Sequence, residues 1–144
     1  MSRIHTVGVF ALALAFVLVA NTAAAGNLEA NMKWGGWEKK MKKKVEMAKQ
    51  KCAVEIPFEF DKASFDGAPK DSDPLKVCDS PYTALWNVCN TSPDAKKAVG
   101  EKVKKVHCAF AAGEPNIAME GTTLSYKGPH GNSSKVKDFL MKNL

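Results

Sequence analysis

The chain is predicted to fold as an α+β domain: a small antiparallel sheet of about four strands with about four helices, in the order α-β-αα-βββ-α, stapled by two disulfides. Three observations support this class. Apolar residues recur at three- and four-residue spacing from Trp34 to Cys52, and at two-residue spacing in several short runs further on. Ser-Pro pairs punctuate the middle of the chain as helix starts do. Four cysteines, Cys52, Cys78, Cys89 and Cys108, form an even set behind an export-type leader.

Residues 1–25 have the parts of that leader: a basic start with Arg3, an apolar run from Val7 to Ala20, and Ala23, Ala24 and Ala25 before Gly26. Cleavage is expected after Ala25, releasing residues 26–144 as one domain into the periplasm or the extracellular space. The apolar run is shorter than the roughly 20 residues that a bilayer core requires, so a retained anchor is not expected.

Trp34, Trp37, Met41, Val45, Ala48 and Cys52 form a helical stripe, with Lys39, Lys40, Lys42, Lys43 and Lys44 mostly between them. The pattern predicts an amphipathic helix over 36–51. Val54, Ile56, Phe58 and Phe60 then alternate with Glu55, Pro57, Glu59 and Asp61, a half-buried strand that Pro57 assigns to a sheet edge or a bulge. The stretch from Lys62 to Asp79 shows no period and reads as a long loop. Ser80-Pro81 and Ser92-Pro93 are expected to cap two helices, over 81–90 and 93–106, folded back as an αα-hairpin. Beyond them, Val106, Cys108 and Phe110, then Ile117 and Met119, then Leu124 and Tyr126 mark three strands of a meander. Val136, Phe139, Leu140 and Leu144 mark a last helix.

The helices limit the disulfide pairing. Eleven residues of helix would separate Cys78 from Cys89 by roughly 16 Å, against the 7 Å or so that bridged Cα atoms tolerate. The hairpin favours Cys52 with Cys89 and Cys78 with Cys108. The set Cys52 with Cys78 and Cys89 with Cys108 stays open.

With 45% hydrophobic and 25% charged residues, the composition is globular, which excludes wholesale disorder, collagen-like sequence and a coiled coil. Lysine and arginine total 21 against 15 acids, and the single arginine, Arg3, lies in the leader. The mature chain therefore carries only lysine as its basic residue, 20 in all, for a net charge of +5. Guanine edges are commonly read by the arginine fork, so specific nucleic-acid recognition is not expected. A lysine surface suits a loosely read polyanion: an anionic surface polymer, lipid headgroups or an acidic protein. The candidate binding face is Lys39, Lys40, Lys43 and Lys44 with Trp34 and Trp37, and the Lys62 to Asp79 loop is a second candidate surface.

Signals for catalysis are weak. His107 and His130 are the histidines beyond the leader, and neither sits in a motif that defines a mechanism. Glu55 and Glu59 lie roughly 13 Å apart at strand rise, too far for a carboxylate pair. Asp71 and Asp73 begin like a calcium loop, but Pro74-Leu75-Lys76 breaks the ligand pattern. No catalytic residue, cofactor or metal is assigned. The expected function is that of an exported, non-catalytic binding or interaction protein. The alternatives are an inhibitor of an extracellular enzyme and a small secreted hydrolase using His107 or His130.

Overall fold

The computed structural model describes the backbone of residues 10–144 and the side chains from Leu28 onward. The expected leader, 1–25, lies outside the residues whose side chains are described. Helix α1 runs Phe10–Cys52, and the chain divides into two units, Met1–Gly36 and Trp37–Leu144. In the first unit, Leu28 and Met32 are exposed and Trp34 is half-buried. Among the described residues, the buried core belongs to the second. No helix start occurs near Gly36, because Trp34-Gly35-Gly36-Trp37 offers no side chain to cap exposed N–H groups and the helix runs through. Met41, Val45, Ala48 and Cys52 are buried as their spacing requires. Ala53 ends α1 in the left-handed conformation, φ 57°, its N–H donating to the Lys49 carbonyl at 2.8 Å.

Strand β1, Phe58–Phe60, is followed by a short 3-10 turn, Lys62–Phe65, and by helix α2, Pro74–Cys89. The expected long loop and the expected helix start at Pro81 are both corrected. Asp73 is the cap, its carboxylate accepting from the Lys76 N–H at 3.0 Å, and Pro74 takes the first turn. Pro81 lies inside the helix. Ser80 does not cap it; its Oγ accepts from the Asn132 N–H at 3.2 Å. Buried Val77 and Cys78 extend the apolar period of Tyr82, Leu85 and Val88 one turn further towards the N-terminus. Helix α3, Pro93–Lys102, starts where Ser92-Pro93 predicts, with Ser92 Oγ accepting from the Ala95 N–H at 3.1 Å.

Strands β2, Lys105–Ala109, β3, Asn116–Glu120, and β4, Thr123–Lys127, precede helix α4, Ser133–Asn143. The sheet is mixed, not antiparallel. Its order is β1-β2-β4-β3, with β1 and β4 parallel to β2 and only the β3–β4 hairpin antiparallel. A plain meander would place β3 beside β2. Burial explains the exchange: Leu124 and Tyr126 of β4 are fully buried and take the inner position, while β3 has only half-buried and exposed residues and suits an edge. β1 holds the other edge, consistent with Pro57.

Val106, Cys108, Leu124 and Tyr126 share the buried face of the sheet, on which α2 packs. Helices α3 and α4 pack in turn on α2. The Tyr82 hydroxyl donates to the Ile56 carbonyl at 2.7 Å, tying α2 to the entry of β1. The opposite face carries Glu59, His107, Ser125 and Ala118 in one register row, all half-buried or exposed.

Cys52 and Cys89 are bonded, with Cα atoms 5.1 Å apart. Cys78 and Cys89 lie in the same helix, which rules out that pairing. The second expected bridge is not closed: Cys78 and Cys108 are buried free thiols, near one another where α2 packs on β2. The fold thus brings Cys78 and Cys108 together, and one bridge is formed among the described residues.

Candidate functional site

The lysine face follows from the helical period. Met41, Val45 and Ala48 turn one side of α1 into the core. Lys39 and Lys43, four residues apart, stack on the side opposite, with Lys40 beside them, and all three are exposed. Among the described residues, none of Lys39, Lys40, Lys42 and Lys43 has a carboxylate within 4.0 Å, whereas Lys44, Lys49, Lys62, Lys76, Lys97, Lys105 and Lys135 each do. Lys44 is therefore set apart from the other candidates: its Nζ lies 2.6 Å from Asp79 Oδ1 of α2. Trp37 is half-buried, as is Trp34 in the first unit. Of the residues singled out in the sequence, Lys39, Lys40 and Lys43 form one open cationic surface. The other proposed surface, 62–79, is largely taken up by the 3-10 turn and the first turns of α2.

A groove of about 620 Å³ lies between α1 and β1. Val45, Pro57, Phe58 and Phe60 supply its apolar lining; the Phe58 and Phe60 rings pack tilted at 53°, with centroids 5.0 Å apart. Its polar lining is Glu38, Glu46, Glu55 and Glu59 with Lys42 and Lys62. Lys62 pairs with Glu38 at 3.2 Å, Lys49 with Glu55 at 3.0 Å, and Lys105 with Glu59 at 2.8 Å. The hydrogen bond and charge of Lys105 hold the Glu59 carboxyl below its ordinary range, and those of Glu55 hold the Lys49 ammonium above its own. Alternation in 54–60 identifies a strand with two faces. It carries no signal that α1 stands beside the edge of that strand, so the groove was not foreseen.

On the open sheet face the register aligns Glu59, His107 and Ser125 on three neighbouring strands. No hydrogen bond joins these side chains among the described residues, and Glu59 is engaged by Lys105. His130 is exposed in the loop before α4, where its carbonyl accepts from Asn132 Nδ2 at 3.2 Å. The two histidines thus lie on separate features of the fold. Among the described residues no group of three or more His, Cys, Asp or Glu side chains is placed to hold a metal, and no helix is long and apolar enough to cross a membrane.

Beneath the sheet, burial raises the Cys78 thiol well above its usual range, and Cys108 adds to the shift. Burial likewise raises the hydroxyls of Tyr82 and Tyr126. Tyr126 donates to the Pro129 carbonyl. Burial therefore keeps the Cys78 thiol and both hydroxyls uncharged at neutral pH. Compared with protein-family models, curated proteins and solved structures, the chain matches none.

Proposed function

We propose that the protein is an exported, non-catalytic binding protein that docks on an anionic surface, lipid headgroups or a surface polymer, through Lys39, Lys40 and Lys43 of α1. The observation that carries this is their clustering: these three stand together on the outer side of α1, exposed and with no carboxylate within 4.0 Å among the described residues. A lysine near an anionic surface contributes roughly 1 kcal/mol, so three contribute about 3 kcal/mol, roughly 150-fold in affinity.

Co-sedimentation with phosphatidylglycerol vesicles, with phosphatidylcholine vesicles as control, and retention on a soluble polyanion test this and separate the two sources. Binding that collapses in a K39Q/K40Q/K43Q variant is expected. Unchanged binding of that variant would contradict the proposal. Export is tested by sequencing the N-terminus of the mature protein, expected at Gly26; an uncleaved chain retained in the cytosol would contradict it.

We also infer that an oxidising compartment closes Cys78 with Cys108 as the second bridge. Their juxtaposition across α2 and β2, and the absence of any other thiol beside them among the described residues, support this. Non-reducing peptide mapping of exported protein is expected to recover the Cys78–Cys108 peptide; two alkylatable thiols after unfolding would overturn it.

A further inference from the structure

The groove beside β1 has a geometry and a charge that select an occupant different from that of the lysine face. β1 ends the sheet. The Pro57 carbonyl accepts from Val106 at 2.9 Å and the Asp61 N–H donates to Cys108 at 2.8 Å, so these groups turn towards β2. Alternation along the strand then turns the backbone groups of Phe58 and Phe60 towards the outer edge. Residues of both parities, Pro57, Phe58, Glu59 and Phe60, line the groove. Such a lining belongs to a groove that follows a strand edge, not one that sits on a single face of the sheet.

The lining also inverts the charge of the chain. Against an excess of lysine overall, it presents four glutamates and two lysines, with Lys49 and Lys105 reaching in from outside the lining to pair with Glu55 and Glu59. The glutamates remain 43–62% exposed within their ion pairs. Exposed pairs of this kind contribute little, so an incoming cation exchanges with the resident lysines readily.

We propose that β1 accepts an extended peptide of alternating apolar and basic residues as a fifth strand of the sheet. One face of that strand sets apolar side chains beside Phe58, Phe60 and Val45; the other sets basic side chains beside Glu55 and Glu59. A second copy of β1 is the wrong occupant, because it would bring glutamates against the same glutamates.

The full chain is titrated with a labelled Val-Lys-Val-Lys-Val-Lys peptide and with its Val-Glu counterpart, following anisotropy, backbone amide shifts and amide exchange. The lysine peptide is expected to bind, to shift the Phe58, Glu59 and Phe60 amides, and to slow exchange at Phe58, which loose electrostatic adhesion does not do. E55K/E59K and the milder E55Q/E59Q are expected to weaken binding at least tenfold while circular dichroism stays unchanged. Equal binding of the glutamate peptide, shifts confined to 39–43, no binding at millimolar peptide, or unchanged affinity in both variants would each overturn the proposal.

Discussion

Removing the Cys52–Cys89 bridge by a C52A/C89A double substitution is expected to cost a large share of a small domain's margin of stability. The bond joins the end of α1 to the end of α2 across a sequence separation of 37. Closing a loop of that length in the unfolded chain removes roughly 13 cal/mol/K, or about 4 kcal/mol at 25 °C. For a domain of this size, net stability is on the order of 5–15 kcal/mol, and a loss of 4 kcal/mol lowers Tm by roughly 15 °C. The assay is urea unfolding followed by tryptophan fluorescence, with the single C89A variant as control, since it opens the same loop. Both variants should lose similar stability, with the native circular dichroism spectrum retained below the transition. A loss under about 1 kcal/mol would mean that the unfolded chain is no freer without the bridge, contrary to loop-closure entropy as the source of its stabilisation.

Gly128 packs so closely on Pro115 that an added Cβ would lie 2.8 Å from the proline Cβ and 2.9 Å from its Cα. G128A should therefore cost about 1–3 kcal/mol in thermal or urea unfolding. A53G should do the opposite: relief of the left-handed backbone outweighs the added freedom of the unfolded chain, for a gain of about 0.5–1 kcal/mol. The Glu59 carboxyl, lowered chiefly by the Lys105 hydrogen bond, stabilises the fold above its ordinary unfolded value of about 4.3, and that contribution is lost as pH falls through the lower folded value. In K105Q the Glu59 titration, followed by carboxyl NMR, should move up towards the ordinary range; an unmoved midpoint would remove Lys105 as the cause.

Local signals in the sequence were reliable where one residue type has one physical use. The Met41 to Cys52 part of the helical stripe, Pro57 at a sheet edge and the Ser92-Pro93 start all occur where their chemistry places them. The start of α2 was obscured because Ser80-Pro81 has the form of a cap, while the true cap, Asp73-Pro74, lies in a polar stretch that hides the apolar pair Val77 and Cys78. Strand order was illegible for a different reason. Alternation states which residues face the core but not which strand stands beside which, and only the full burial of Leu124 and Tyr126 draws β4 to the inside. The lysine face was visible as a pattern in the sequence. That Lys44 is occupied by Asp79 while Lys39, Lys40 and Lys43 are not depends on how α2 packs against α1, which no spacing encodes.

On the proposed function, this exposed cluster, and not the lysine excess spread over the chain, meets the anionic partner. Backbone amide NMR during titration with a soluble polyanion at physiological ionic strength tests it directly. Shifts concentrated on residues 39–43, and abolished in the K39Q/K40Q/K43Q variant, are the predicted result. Shifts spread evenly over remote lysines such as Lys96, Lys127 and Lys142, or unaltered in that variant, would contradict it.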